Sequence, residues 1–113
     1  MRYKDGVIER MTVWRGGVRV DISMSKMATL ALSVADSLSV KLFGRGVVVT
    51  SVLDGRHMVG SKHYDGDAFD LRTWIYTEGE VSVFVRELQR ALGVDYDVIK
   101  EVDHIHVEYD QGS

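Results

Sequence analysis

Apolar and polar positions change their period several times along the chain, and each change marks an element. Val18, Val20 and Ile22 alternate with Arg19 and Asp21, the period of a strand with one buried face. Val7, Ile8, Met11 and Val13 precede them, and Gly16-Gly17 separates the two runs. Two glycines between strand-like runs predict a hairpin, so residues 7–22 read as an N-terminal β-ribbon packed on helices. From Met27 the spacing becomes helical. Met27, Ala31, Val34, Leu38 and Leu42 follow one another at steps of four, three, four and four, a single apolar stripe. It predicts a helix over about 24–42, capped by Ser23 or Ser25 and ended by Gly44-Arg45-Gly46. The methionines read as core filler.

Val47-Val48-Val49-Thr50-Ser51-Val52 is a β-branched apolar run, which predicts a central strand buried on both faces. Residues 53–60 read as a loop, and Phe69 to Thr73 as the next strand. Thr77-Glu78-Gly79-Glu80 has the spelling of a capping box, in which the Thr hydroxyl and the Glu carboxylate each satisfy a free amide. Val81, Phe84, Val85, Leu88 and Leu92 then form a stripe that ends at Gly93, so a packing helix is expected over 78–92. Two short strands, Tyr96 to Val102 and His104 to Tyr109, should pair antiparallel. The fold class expected is α+β, with two main helices packed on a mostly antiparallel sheet.

Composition narrows the reading. At 113 residues with 45% hydrophobic side chains, one domain over residues 1–113 with a real core is expected. The chain has no cysteine, which removes disulfides and thiolate ligands together and leaves either redox compartment open. A net charge of -3 gives no reason to expect nucleic acid. No apolar run reaches the ~18 residues of a membrane span. The N-terminal Met1-Arg2-Tyr3-Lys4-Asp5-Gly6 has no apolar stretch behind its charges, so no signal peptide is read.

Candidate chemistry gathers in two places. Residues 61–70 read Ser61-Lys62-His63-Tyr64-Asp65-Gly66-Asp67-Ala68-Phe69-Asp70, and a strand near the C-terminus reads Asp103-His104-Ile105-His106-Val107-Glu108. Zinc accepts imidazole nitrogen and carboxylate oxygen, and a catalytic zinc keeps one position open for water. Three protein ligands therefore suffice, two from the first stretch and one from the second. Gly66 and its turn-forming neighbours argue for a loop that folds His63 and Asp70 onto one point. In the second stretch His104, His106 and Glu108 share a strand face, while Ile105, Val107 and Tyr109 turn to the core. Asp103 stands three before His106, and Glu101 three before His104.

The pattern Ser-x-His-x-x-Gly-x-Ala-x-Asp over 61–70 resembles the first zinc motif of the D-alanyl-D-alanine carboxypeptidase and L-alanyl-D-glutamate endopeptidase family, whose fold is shared with the Hedgehog signalling domain. The second motif of that family ends in a strand where an acid precedes a ligand His by three, as Asp103 and His106 stand here. The resemblance spans about residues 47–109. It implies a zinc held by His63, Asp70 and His106, and a peptidase acting on peptidoglycan stem peptides. It implies Asp103 as the proton shuttle, with Glu101 as its rival, because strict alternation points Asp103 away from His106 unless a bulge or turn intervenes. His104 matches a histidine of the Hedgehog branch that lies near the metal without binding it.

The family also places an Arg shortly after the Thr-Ser of the strand, to grip a carboxylate or oxyanion. This chain has Val52-Leu53-Asp54 there. Arg56 is the nearest Arg, and His57 stands six before His63, as a His does in the Hedgehog branch. Arg56, His57 and His104 are thus the candidates for steadying the oxyanion. Ser61 reads as a loop support and Tyr64 as a cleft wall. The bond cut is D-Ala-D-Ala or L-Ala-D-Glu. Without a signal peptide, the resemblance implies a phage lysis or virion-associated enzyme that reaches the wall after release. The alternative is a zinc-binding structural or interaction domain without turnover.

Overall fold

A computed structural model describes residues 1–4, 12–15, 18–21, 26–52 and 68–110. In chain order these residues form β1 (Arg2–Tyr3), β2 (Thr12–Arg15), β3 (Val18–Asp21), α1 (Lys26–Phe43), β4 (Val48–Val52), β5 (Ala68–Arg72), α2 (Glu78–Leu92), β6 (Tyr96–Lys100) and β7 (His104–Tyr109). Five strands make one sheet in the order β1-β4-β5-β7-β6. The β1–β4 pair is parallel, and the other three pairs are antiparallel. The class is therefore α+β, with two helices and a mostly antiparallel sheet. β2 and β3 pair antiparallel as the expected hairpin, with Arg15 opposite Val18; Gly16 and Gly17 lie outside the described residues. How this ribbon packs lies outside the described residues.

The core lies between one face of the five-stranded sheet and the two helices. Val49 of β4, Phe69 and Leu71 of β5, and Ile105 and Val107 of β7 are buried together with Ala28, Ala31, Leu32 and Ala35 of α1 and Val81, Phe84 and Leu88 of α2. On β7 the buried residues are every second one, as a half-buried sheet requires; on β5 Phe69 and Leu71 alternate in the same way, and Ala68 is buried as well. The helix α2 keeps the bounds read from the sequence. Its Glu80 amide donates to Thr77 Oγ1 at 3.1 Å, and the Thr77 amide donates to Glu80 Oε1 at 2.9 Å. Gly93 ends it at φ 87°, in the positive-φ region that glycine enters without a Cβ clash.

The helix α1 departs from the stripe read off the sequence. Its buried face is Ala28, Ala31, Leu32, Ala35 and Ser39. Met27 and Leu42 are 37% and 39% exposed, while Val34 and Leu38 pack at the margin of the core. Small side chains let this helix lie close to its neighbours, so it is centred on its alanines rather than on its largest residues. Ser39 is the one fully buried polar residue of the described core. Its hydroxyl donates to the Arg45 carbonyl at 2.5 Å and pairs with the Tyr76 hydroxyl at 2.6 Å. It thereby ties the end of α1 to the turn before α2. No helix among the described residues is long and apolar enough to cross a membrane.

Candidate metal centre

The second face of the sheet carries the polar residues. Alternation along β7 puts His104, His106 and Glu108 there, because Ile105 and Val107 are fully buried on the first face. Alternation along β5 puts Asp70 and Arg72 on the same side, opposite to buried Phe69 and Leu71. The β5–β7 register then sets Asp70 opposite His106, Arg72 opposite His104, and Ala68 opposite Glu108. Two residues thirty-six apart in sequence become direct cross-strand neighbours, which is the relation that lets side chains interact across a ladder.

Asp70 Oδ1 and His106 Nδ1 are 2.8 Å apart, and both side chains are 19% exposed. The other ring nitrogen, Nε2, is 3.0 Å from Glu108 Oε1. A neutral imidazole has one N–H and could serve only one of these carboxylates as a donor, whereas an imidazolium serves both. The hydrogen bond to Asp70, opposed by desolvation and reinforced by Glu108, accordingly pushes the His106 pKa up to about 9. Two carboxylates around one ring make a place that demands a cation. A proton is one candidate, and a metal ion between Nδ1 and Oδ1 is the other.

The donor set fits zinc in kind. One imidazole and one carboxylate stand side by side, and a carboxylate waits on the far nitrogen of the same ring. That last feature is the arrangement by which metal-ligating histidines are oriented and made more basic. Two atoms sharing a tetrahedral zinc at ~2.0–2.1 Å stand roughly 3.3 Å from each other. The 2.8 Å contact would have to open by only about half an ångström to admit the ion. Among the described residues no three such groups converge as a complete metal site. His63, the expected third ligand, lies outside the described residues, as do Arg56, His57, Ser61 and Tyr64.

His104 links this pair to a third acid. Its Nδ1–H donates to Asp103 Oδ1 at 2.8 Å, and its Nε2 lies 3.8 Å from Asp70 Oδ2. Asp103 sits in the turn between β6 and β7, with its side chain 66% exposed. The bulge or turn expected between Asp103 and His106 is absent: β7 runs in unbroken register from His104, so the Asp103 carboxylate meets the adjacent His104 rather than His106. The hydrogen bond from His104 holds Asp103 below the usual carboxylate range, against a desolvation that raises it, and the His104 and Lys4 charges add to the lowering. Glu101 is exposed, and its amide donates to the His104 carbonyl at 2.8 Å. Both candidate shuttles therefore flank His104.

On the other side of Asp70 stands β4. Thr50 Oγ1 donates to the Asp70 carbonyl at 3.4 Å, and the β4–β5 register shifts between Val49 and Ser51. Such an irregularity bends a strand and re-aims its side chains, here directly beside Asp70. Two residues of this face have no role in the sequence reading. Glu108 already stands on the face shared by His104 and His106, and what the sequence does not state is its contact with His106 Nε2. Arg72 could have been found from the step of two after Asp70. No family model matches the chain, and no curated protein matches it.

Proposed function

We propose that this chain is a zinc-dependent peptidase acting on peptidoglycan stem peptides, built like the Hedgehog-type peptidases its motifs resemble. The observation that carries the reading is the Asp70–His106 pair, two spelled-out ligand positions set 2.8 Å apart by the β5–β7 register. Asp70 and His106, with His63, would hold the metal, and zinc when bound polarises a scissile carbonyl and acidifies water. Glu108 accepts the Nε2–H of His106, which fixes the tautomer and leaves Nδ1 free to ligate. Asp103 takes a proton from the attacking water and returns it to the leaving amine. His104, held by Asp103 through Nδ1, presents Nε2 toward the Asp70 side, facing the place where negative charge develops.

The test is incubation of the purified protein with peptidoglycan, with and without a chelator, while the released amino groups are counted. Chelator-sensitive release supports the proposal. A protein that holds one zinc and releases nothing is instead a silent zinc-binding domain.

A further inference from the structure

The metal pair is one row of a larger arrangement. Arg2 of β1 pairs with Val48 of β4, and Arg72 of β5 pairs with His104 of β7. One step past the Val49–Leu71 pair, Val48 stands beside Arg72. Arg2, Val48, Arg72 and His104 therefore form a row across four strands, immediately next to the row that holds Asp70 and His106. Arg2, Lys4, Arg72 and Ile75 line a hollow of about 380 Å³ at this end of the sheet. Among the described residues no carboxylate forms an ion pair with Arg2, Lys4 or Arg72. The Arg72 guanidinium lies over the Trp74 ring at 4.5 Å, and Trp74 is 72% exposed. Stacking on an indole fixes the plane of a guanidinium and leaves its N–H edge free for an anion.

Resting on the peptidase reading above, we infer that Arg72, with Arg2 and Lys4, is a subsite for the free C-terminal carboxylate of the peptide, one residue beyond the scissile bond. The spacing supports this. Positions two apart on a strand are roughly 6.5–7 Å from each other. One residue of extended peptide advances ~3.3–3.6 Å, and a charge-assisted contact from guanidinium to carboxylate adds ~2.7–2.9 Å. A peptide with its scissile carbonyl over the Asp70–His106 row thus brings a carboxylate one residue later to the Arg72 row. A chain that continued past that residue would carry an uncharged amide into a hollow lined by three cations. The geometry favours a carboxypeptidase over an endopeptidase, with Arg72 serving where the family's strand Arg is missing.

The test is an NMR titration of the zinc-supplemented protein, followed at the Trp74 indole N–H and the Arg72 side chain. The probes are acetylated D-alanyl-D-alanine, its C-terminal amide, and inorganic phosphate. The free acid should shift both signals saturably, and the amide should bind at least tenfold more weakly. Arg72→Gln should weaken the free acid at least tenfold, and a paired Arg2→Gln, Lys4→Gln variant by less. The same spectra report whether each variant is folded. Equal binding of acid and amide, unchanged binding in both variants, or phosphate binding as tightly as the peptide would each overturn the assignment. Released D-alanine appears as its own methyl signal in these spectra. Binding with the stated dependence but no release would keep the subsite and sink the peptidase, while release with no preference for the free acid would do the reverse.

Discussion

Asp70 and His106 face each other across the β5–β7 ladder, with Oδ1 and Nδ1 2.8 Å apart and Glu108 closing the far side of the ring at 3.0 Å. One prediction follows for metal content. Protein prepared without added metal should carry about one zinc per chain by elemental analysis. His63→Ala combined with His106→Ala should abolish it, since two of the three proposed ligands are gone. Zinc that stays at the wild-type level in the double variant would mean that the ligands are other residues. Glu108→Gln should keep the metal but weaken it by ~10- to 100-fold, the usual cost of losing the partner of a ligand histidine.

Removing the metal should also cost stability. The proposed ligands come from stretches far apart in sequence, and an ion that binds only the folded chain stabilises it by mass action, about 2.7 kcal/mol at a hundredfold excess over Kd. For a domain of this size each kcal/mol moves Tm by ~4–8 °C. A chelator should therefore lower Tm by about 10 °C or more in a thermal melt. An unchanged melt after confirmed metal loss would make the site an addition to a self-sufficient core.

The metal-free protein should show a pH dependence with a definite sign. His106 is raised to about 9 in the folded chain, above the ~6.5 of an unfolded histidine. The folded state therefore binds the proton more tightly. The stabilisation is complete below about pH 6.5, declines as pH rises, and is lost above about pH 9. With allowance for solvent screening at a half-buried ring, it amounts to ~1–2 kcal/mol. Urea midpoints of the chelated protein between pH 6 and 10 should fall over that window, and His106→Gln should flatten the fall. A midpoint that climbs with pH would show the imidazolium to be unfavourable there.

Ser39 supplies a prediction about the scaffold alone. Its hydroxyl serves both the Arg45 carbonyl and the Tyr76 hydroxyl, and it is fully buried. Ser39→Ala leaves both partners without it in a closed space, which costs ~1–3 kcal/mol. Urea denaturation should show this as a lower midpoint at unchanged slope. Tyr76→Phe in the same background should add little, because the two hydroxyls act on one bond.

The parts of the fold that were legible are those fixed by short-range rules. Thr77 and Glu80 spell the start of α2, and Gly93 its end. The step of two in His104–Glu108 gives a strand face, and Gly16-Gly17 gives a hairpin. What stayed illegible depends on partners distant in sequence. The burial of α1 is decided by how closely its alanines let it approach the sheet, so Met27 and Leu42 mislead. Asp70 opposite His106 is a matter of register, and no local pattern states which residue of β5 meets which of β7. The step of two places Arg72 on the face of Asp70, but only the register puts it in one row with His104 on β7 and, across Val48, with Arg2 on β1.

The most decisive prediction concerns the two acids at the β6–β7 turn. Asp103 Oδ1 accepts a hydrogen bond from His104 Nδ1 at 2.8 Å. Asp103→Asn keeps an oxygen there, so His104 should hold its place and the proposed ligands Asp70 and His106 stay untouched. Metal content should remain near that of wild type. What is lost is a carboxylate able to take up a proton, and a general base contributes ~100- to 10,000-fold. Peptide hydrolysis should fall by a factor in that span. Glu101→Gln makes the same change in the rival acid, whose side chain is exposed, and should leave the rate within about threefold of wild type, since an exposed surface change is worth ~0.5 kcal/mol at most. If Glu101→Gln abolishes turnover and Asp103→Asn does not, the two roles are exchanged. If neither variant slows the reaction, the proton moves through another group, and His104, which touches Asp103 on one side and approaches Asp70 at 3.8 Å on the other, becomes the residue to replace.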